Sequence, residues 1–158
     1  MKIFKYQLIL LLAALLIQIN CSDKPAVDDQ ESTQTSTSNG DPNDWTTNKG
    51  IGPITSVSLN QVIDEDLVEE GKSIFTTKCS ACHKANKKYI GPPMADILDR
   101  RTPEWTMNMI LNPAGMVQDD PIAKALLMEY NGTPMANQNL SEDEARAVLE
   151  YFRTLKSE

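Results

Sequence analysis

The chain has 158 residues, with 15 Lys and Arg against 22 Asp and Glu, a formal charge of −7 and a single histidine. This acidic balance disfavours nucleic acid as a partner. The low aromatic content, 6%, limits the apolar surface that so short a chain can bury on its own.

Residues 1–20 carry Lys2 and Lys5, then an apolar run over residues 8–17, then Cys21. The run is too short for an ordinary spanning helix and predicts a secretory signal that is removed. It resembles a bacterial lipoprotein signal, which implies that Cys21 is the lipid-modified first residue of the mature protein. Gln18 and Asn20 depart from the small apolar residues usual before such a cysteine. An uncleaved anchor, or secretion with Cys21 left as an odd thiol, is the alternative. Each reading puts the following domain outside the cytoplasm, tethered to a membrane and facing the periplasm, or secreted if Cys21 is not lipidated. Loss of Lys2 and Lys5 leaves 13 basic residues against the same 22 acidic ones.

Residues 21–49 are rich in Ser, Thr, Asn, Asp and Gln and nearly free of apolar side chains. Such a stretch cannot offset its ordering entropy and predicts a disordered tether. In residues 50–61, Val57 and Leu59 alternate with Ser56, Ser58 and Asn60, which predicts an extended segment burying Ile54, Val57 or Leu59 on the domain.

From residue 62 to 158 the pattern is helical, enough for one domain. A first helix is expected over about residues 65–79, with Asp64 as N-cap and Leu67, Val68, Gly71, Ile74 and Phe75 on its apolar stripe. It leads into Cys79-Ser80-Ala81-Cys82-His83. On a helix these thiols lie at i and i+3 and the imidazole at i+4, so one short segment offers two thioether donors and one iron ligand to a single porphyrin. The spacing reads as covalent attachment of one haem c. A structural zinc site would need four ligands, and beyond these three the chain's only further cysteine or histidine is Cys21. A thioredoxin-like dithiol would need alternating strands and helices, which the pattern lacks.

Thr102-Pro103 starts a second helix and Asn112-Pro113 stops it; Asp120-Pro121 starts a third that Asn131-Gly132 ends; Ser141 and Glu144 form the capping box of a fourth. Trp105, Arg100 and Arg101 are candidate donors to the haem propionates, with a plain core residue and solvated charges as the alternative readings. A sixth iron ligand must be something other than histidine. Met94, Met107, Met109, Met116, Met128 and Met135 offer thioethers, although most suit core filling. Met107, Met109 and Met128 fall in helices, Met116 in a loop, and Met135 in the stiff Gly132-Thr133-Pro134-Met135 segment. Asn137 or Asn139 is a candidate hydrogen-bond donor beside that ligand.

Over residues 63–155 the chain resembles a small class I cytochrome c. The residues carrying the resemblance are the haem motif, Gly71 with Phe75 in the first helix, and Val148, Tyr151 and Phe152 in the last. The resemblance implies an all-α fold of about four helices around one covalent haem. It also implies Met135 as the axial partner of His83, with Pro134-Met135 in the reverse of the family's commonest order. In Gly91-Pro92-Pro93 it implies that the Pro92 carbonyl accepts from His83 Nδ1. The expected function is a single-haem electron carrier that transforms no substrate. The alternatives are a haem enzyme or gas-binding sensor with a displaceable sixth ligand, or a haem subunit of a respiratory complex. Lys78, Lys84, Lys87 and Lys88 around the motif suggest an acidic redox partner such as a respiratory reductase or oxidase. Residues 105–139 resemble lipoprotein cytochromes that accompany such enzymes, including nitrous oxide reduction systems.

Overall fold

Local capping chemistry sets where each helix begins in the computed structural model, which describes residues 44–157. The signal over 1–20, Cys21 and most of the tether lie outside the described residues. Helix α1, Glu65–Ile74, starts where the Asp64 carboxylate accepts from the amides of Asp66 and Leu67. It continues as a π-helical turn, Phe75–Cys79, closed by Ser80 N donating to Phe75 O at 2.9 Å. Thr76 and Thr77 donate their hydroxyls back to Lys72 O and Ser73 O at 2.7 and 3.0 Å, a competition for helical carbonyls that bends helices.

Helix α2, Pro103–Leu111, is capped by Thr102, whose Oγ1 accepts from Trp105 N at 3.1 Å. Asn112 ends α2 and at once caps a further helix, α3, Pro113–Asp119, through Gly115 N. The described residues therefore hold five α-helices rather than four. A proline at the first helical position can start a helix as readily as it stops one. Helix α4, Pro121–Glu129, is capped by Asp120, and α5, Glu142–Thr154, by the Ser141–Glu144 capping box. Among the described residues there is no strand, so the fold class is all-α.

Helices α1 and α5 cross where α1 has no side chain. A Cβ on Gly71 would sit 2.0 Å from Ala147 O, so the two backbones approach more closely than any other residue would permit. Phe75 fills the flank of the crossing, its ring centroid 5.5 Å from Tyr151 and 5.7 Å from Phe152. Val148 and Leu149 are fully buried beside it, each worth about 1.5–3 kcal/mol of apolar transfer.

Glu150 is also interior, 1% exposed. Its carboxylate accepts from Asp64 N at 3.0 Å and from Arg146 at 2.6 Å, and also pairs with Arg153. Burial alone would raise its pKa, but these donors and cations hold it below the ordinary carboxylate value.

Residues 50–61 form no ladder: bends at 51–53 and at 61 flank an irregular run over 54–60. Ile54 is buried, and Val57 and Leu59 pack against the core as partly buried side chains. The attachment begins earlier than Gly50. Trp45 packs on the cluster of Trp105, Met116, Ile122 and Ala123, and Asn48 donates to Asp120 at 2.7 Å. The expected tether boundary at residue 49 therefore falls too late, because one tryptophan and one asparagine suffice to fasten an otherwise polar stretch.

Candidate cofactor site

The π-helical turn delivers Cys79, Cys82 and His83 to the wall of a cavity of about 220 Å3. Phe75, Met109, Ile110, Leu126, Val148 and Phe152 give that cavity an apolar interior. Cys79 is half-buried and Cys82 exposed, both as free thiols. Burial raises the Cys79 pKa and the neighbouring Cys82 adds to this, with Lys78 acting in opposition. A raised pKa keeps Cys79 itself as a thiol and not as a thiolate nucleophile. Among the described residues no group of three His, Cys, Asp or Glu is arranged to hold a metal ion.

His83 is held in one orientation. Its Nδ1 lies 3.0 Å from Pro92 O, and a carbonyl can only accept, so Nδ1 carries the proton and Nε2 keeps its lone pair. Burial pushes the imidazole pKa below its ordinary 6.5, opposed by the Pro92 bond. The neutral ring that results is the form able to bind iron. Gly91 lies flat against it: a Cβ there would stand 2.5 Å from His83 Cε1 and 2.8 Å from Nδ1. The loop is tied back by Gly91 N donating to Cys82 O at 2.9 Å.

Of the six methionines weighed as ligands, Met94, Met109 and Met135 line the cavity. Met107 is buried in the main core and Met128 is 76% exposed. Met116 is not in a loop. It lies on α3, fully buried, and its sulfur accepts from Ile51 N at 2.9 Å. Met94 belongs to the same loop as Pro92, its amide donating to the carbonyls of Lys84 and Ala85 next to His83. Asn137 and Asn139 bond to each other instead of facing the cavity, where Gln138 stands.

The three propionate candidates line the cavity but differ in what they can donate. Trp105 gives its indole N–H to Asp120 Oδ1 at 3.0 Å. That single donor is already used, which favours the alternative reading of Trp105 as a core residue. Arg100 donates to Ala95 O at 2.8 Å and also to Pro93 O, which fastens the loop below His83. Arg101 stacks on Trp105, its guanidinium carbon 5.1 Å from the ring centroid, and one terminal nitrogen donates to Arg100 O. Its Nε is buried without a partner. An orphaned cationic donor on an apolar cavity wall suits an anionic group of a bound cofactor. The donor set therefore fits a haem: two thiols, one neutral imidazole, thioether sulfurs, an apolar interior and one unsatisfied guanidinium N–H.

The lysines near the motif are partly engaged. Lys88 pairs with Glu129 at 3.1 Å and lies 4.2 Å from the Tyr130 ring centroid, while Lys84 donates to Ser80 O at 2.6 Å. No helix among the described residues is long and apolar enough to cross a membrane.

An all-α domain presenting these groups to one cavity defines a single-haem protein with covalent attachment. The cytochrome c family model matches residues 68–156, and the chain belongs to that family, whose members transfer electrons through one covalently bound haem c. Among solved structures it is similar to a cytochrome c from Rhodothermus marinus, 43% identical, covering 73% of this chain and 97% of that one with a TM-score of 0.65. It is also similar to a cytochrome c2 of Pararhodospirillum photometricum, 28% identical over 110 residues, covering 54% of this chain and 95% of the relative. A cytochrome c-551 of Ectopseudomonas mendocina is 28% identical over 87 residues, covering 54% of this chain and 98% of the relative.

Proposed function

We propose that this chain carries single electrons between extracytoplasmic partners through a haem c bound at Cys79 and Cys82 and ligated by His83 and Met135. The haem iron would supply the chemistry, holding or releasing one electron as it alternates between ferrous and ferric states. The chain's own residues bind and orient it. Cys79 and Cys82 supply the thioether sulfurs, and Pro92 holds the His83 tautomer that leaves Nε2 for iron. Phe75, Ile110, Val148 and Phe152 would exclude water from the haem, which favours the less charged reduced state, and Arg101 Nε would donate to a propionate. The observation that carries the reading is the His83–Pro92 bond beside two free thiols on the cavity that Met135 also lines. Met135 is preferred to Met94 because Met94 is tied to the loop beside His83, whereas Met135 reaches the cavity from the segment between α4 and α5.

We also propose that Cys21 is lipidated and tethers the domain to a membrane facing the periplasm; membrane fractionation of the Cys21→Ser chain tests this. The partners are acidic redox proteins, such as a respiratory reductase or oxidase, that meet the field of Lys78, Lys84, Lys87 and Lys88 around the motif, of which Lys88 is paired with Glu129. The ligand assignment is tested with Met135→Ala. Loss of the thioether, which favours ferrous iron, lowers the reduction potential and opens the iron to carbon monoxide while the haem remains covalently bound. A weak near-infrared band from sulfur ligation in the ferric wild type disappears in the variant. If the band persists in Met135→Ala but vanishes in Met94→Ala, the ligand is misassigned. Ready carbon monoxide binding by the wild type would favour a gas-binding haem protein instead.

A further inference from the structure

Residues 44–54 precede the part of the chain that matches the family model, yet they are fastened beside Arg101, whose buried Nε has no partner among the described residues. Asn48 is the central attachment. Its backbone carbonyl accepts from Thr102 Oγ1 at 2.6 Å, and its side-chain amide donates to Asp120 Oδ2 at 2.7 Å. Those contacts bracket Arg101 and Trp105. Thr102 directly follows Arg101 and caps α2 through Trp105 N, and Asp120 Oδ1 accepts from Trp105 Nε1 at 3.0 Å and from Ala123 N at 2.7 Å.

Asp120 is 2% exposed and both its oxygens are engaged. It fixes the plane of the indole on which the Arg101 guanidinium stacks. Neither Asn48 nor Asp120 lines the cavity, whereas Trp105 and Ala123, which both donate to Asp120, and Arg101 do, so the pair reaches the cofactor through these neighbours.

We infer that Asn48 and Asp120 are positioning residues that hold Trp105, and through it Arg101, at the mouth of the haem cavity, so that the segment upstream of the family domain helps set the reduction potential. This rests on the proposed contact between Arg101 and a propionate. A guanidinium held against that carboxylate offsets its negative charge, which otherwise favours ferric iron. When Arg101 is free to withdraw, the offset weakens and the potential falls.

The test uses the full haem-loaded chain and the neutral substitution Asn48→Ala, which changes no charge. Three properties are measured: the midpoint potential by spectroelectrochemical titration, hydrogen exchange at the Trp105 indole N–H by NMR, and thermal stability. Asn48→Ala lowers the potential and speeds Trp105 Nε1–H exchange roughly five- to tenfold, the factor for one lost hydrogen bond. Asn48→Ser, which keeps a donor, recovers part of both. Arg101→Gln lowers the potential further. Ile54→Ala, which weakens the same segment in the core away from Asp120, lowers the melting temperature with a smaller change in potential.

If Arg101→Gln shifts the potential but Asn48→Ala does not, the clamp is refuted and the propionate contact stands. If neither shifts it, the propionate contact fails and the clamp with it. If Ile54→Ala lowers the potential as much as Asn48→Ala, general loosening accounts for the effect and the specific role of Asn48 is overturned.

Discussion

Gly71→Ala tests whether the crossing of α1 and α5 is set by backbone contact. The added Cβ would lie 2.0 Å from Ala147 O, 2.5 Å from Ala147 C and 2.9 Å from Val148 N. These are main-chain atoms inside a helix, so no side-chain rotation relieves the clash and the helices must part by about 1 Å or more to restore ordinary van der Waals separation. Overpacking of a tight core costs about 1–3 kcal/mol, and a rigid backbone obstacle puts this site at or above the upper end. Alanine returns about 1 kcal/mol through better helix propensity. The net loss is about 2 kcal/mol, equivalent to a fall in Tm of about 8–16 °C for a domain near this size. Thermal unfolding of the haem-loaded protein, followed by circular dichroism and Soret absorbance, measures it. Phe75, Val148 and Phe152 line the haem cavity from these two helices, so the variant also binds carbon monoxide more readily. A Tm within about 2 °C of wild type, with an unchanged spectrum, would refute this account of the crossing.

Two further outcomes follow from the same geometry. Gly91→Ala places a methyl 2.5 Å from His83 Cε1, which tilts the ring off Pro92 and lowers the fraction of six-coordinate, low-spin haem. An unaltered visible spectrum would mean that the loop absorbs the methyl without moving the imidazole. Glu150 has a folded-state pKa held below its ordinary 4.5, so its stabilisation is complete above that pH and is lost as pH falls through the lowered value. Glu150→Gln is therefore destabilised at neutral pH and converges on wild type in acid. Urea midpoints measured between neutral pH and about pH 3 check this, and parallel curves would exclude Glu150 as the source.

Where helices start was written locally. Asp64, Thr102, Asp120 and Ser141 each cap their own next turn, and three of the five α-helices have proline at the first position. A cap involves residues two or three apart, so the chain carries the whole signal in one short window. The haem motif is legible for the same reason, since its two thiols and imidazole span five consecutive residues.

The rest depended on partners far away in the chain. Asn112-Pro113 reads equally as a stop or a start, and Met116, packed against Gly50 with its sulfur bonded to Ile51 N, shows how α3 is used in the fold. Trp105 resembled a propionate donor until Asp120, 15 residues on, took its only N–H. Asn108 and Glu150 look like ordinary surface polar residues. Both are buried because Asn108 bonds Lys49 O and both backbone groups of Ile54, and Glu150 receives Asp64 N and two arginines. Hydrophobic periodicity registers which side of an element is apolar, but it carries no record of a buried polar side chain whose partners lie more than fifty residues away. Four of the five helix starts and the haem-binding chemistry are therefore written in the chain itself, whereas the use of Asn112-Pro113 as a start and the choice of which polar groups go inside are settled only by folding, which brings their partners within bonding distance.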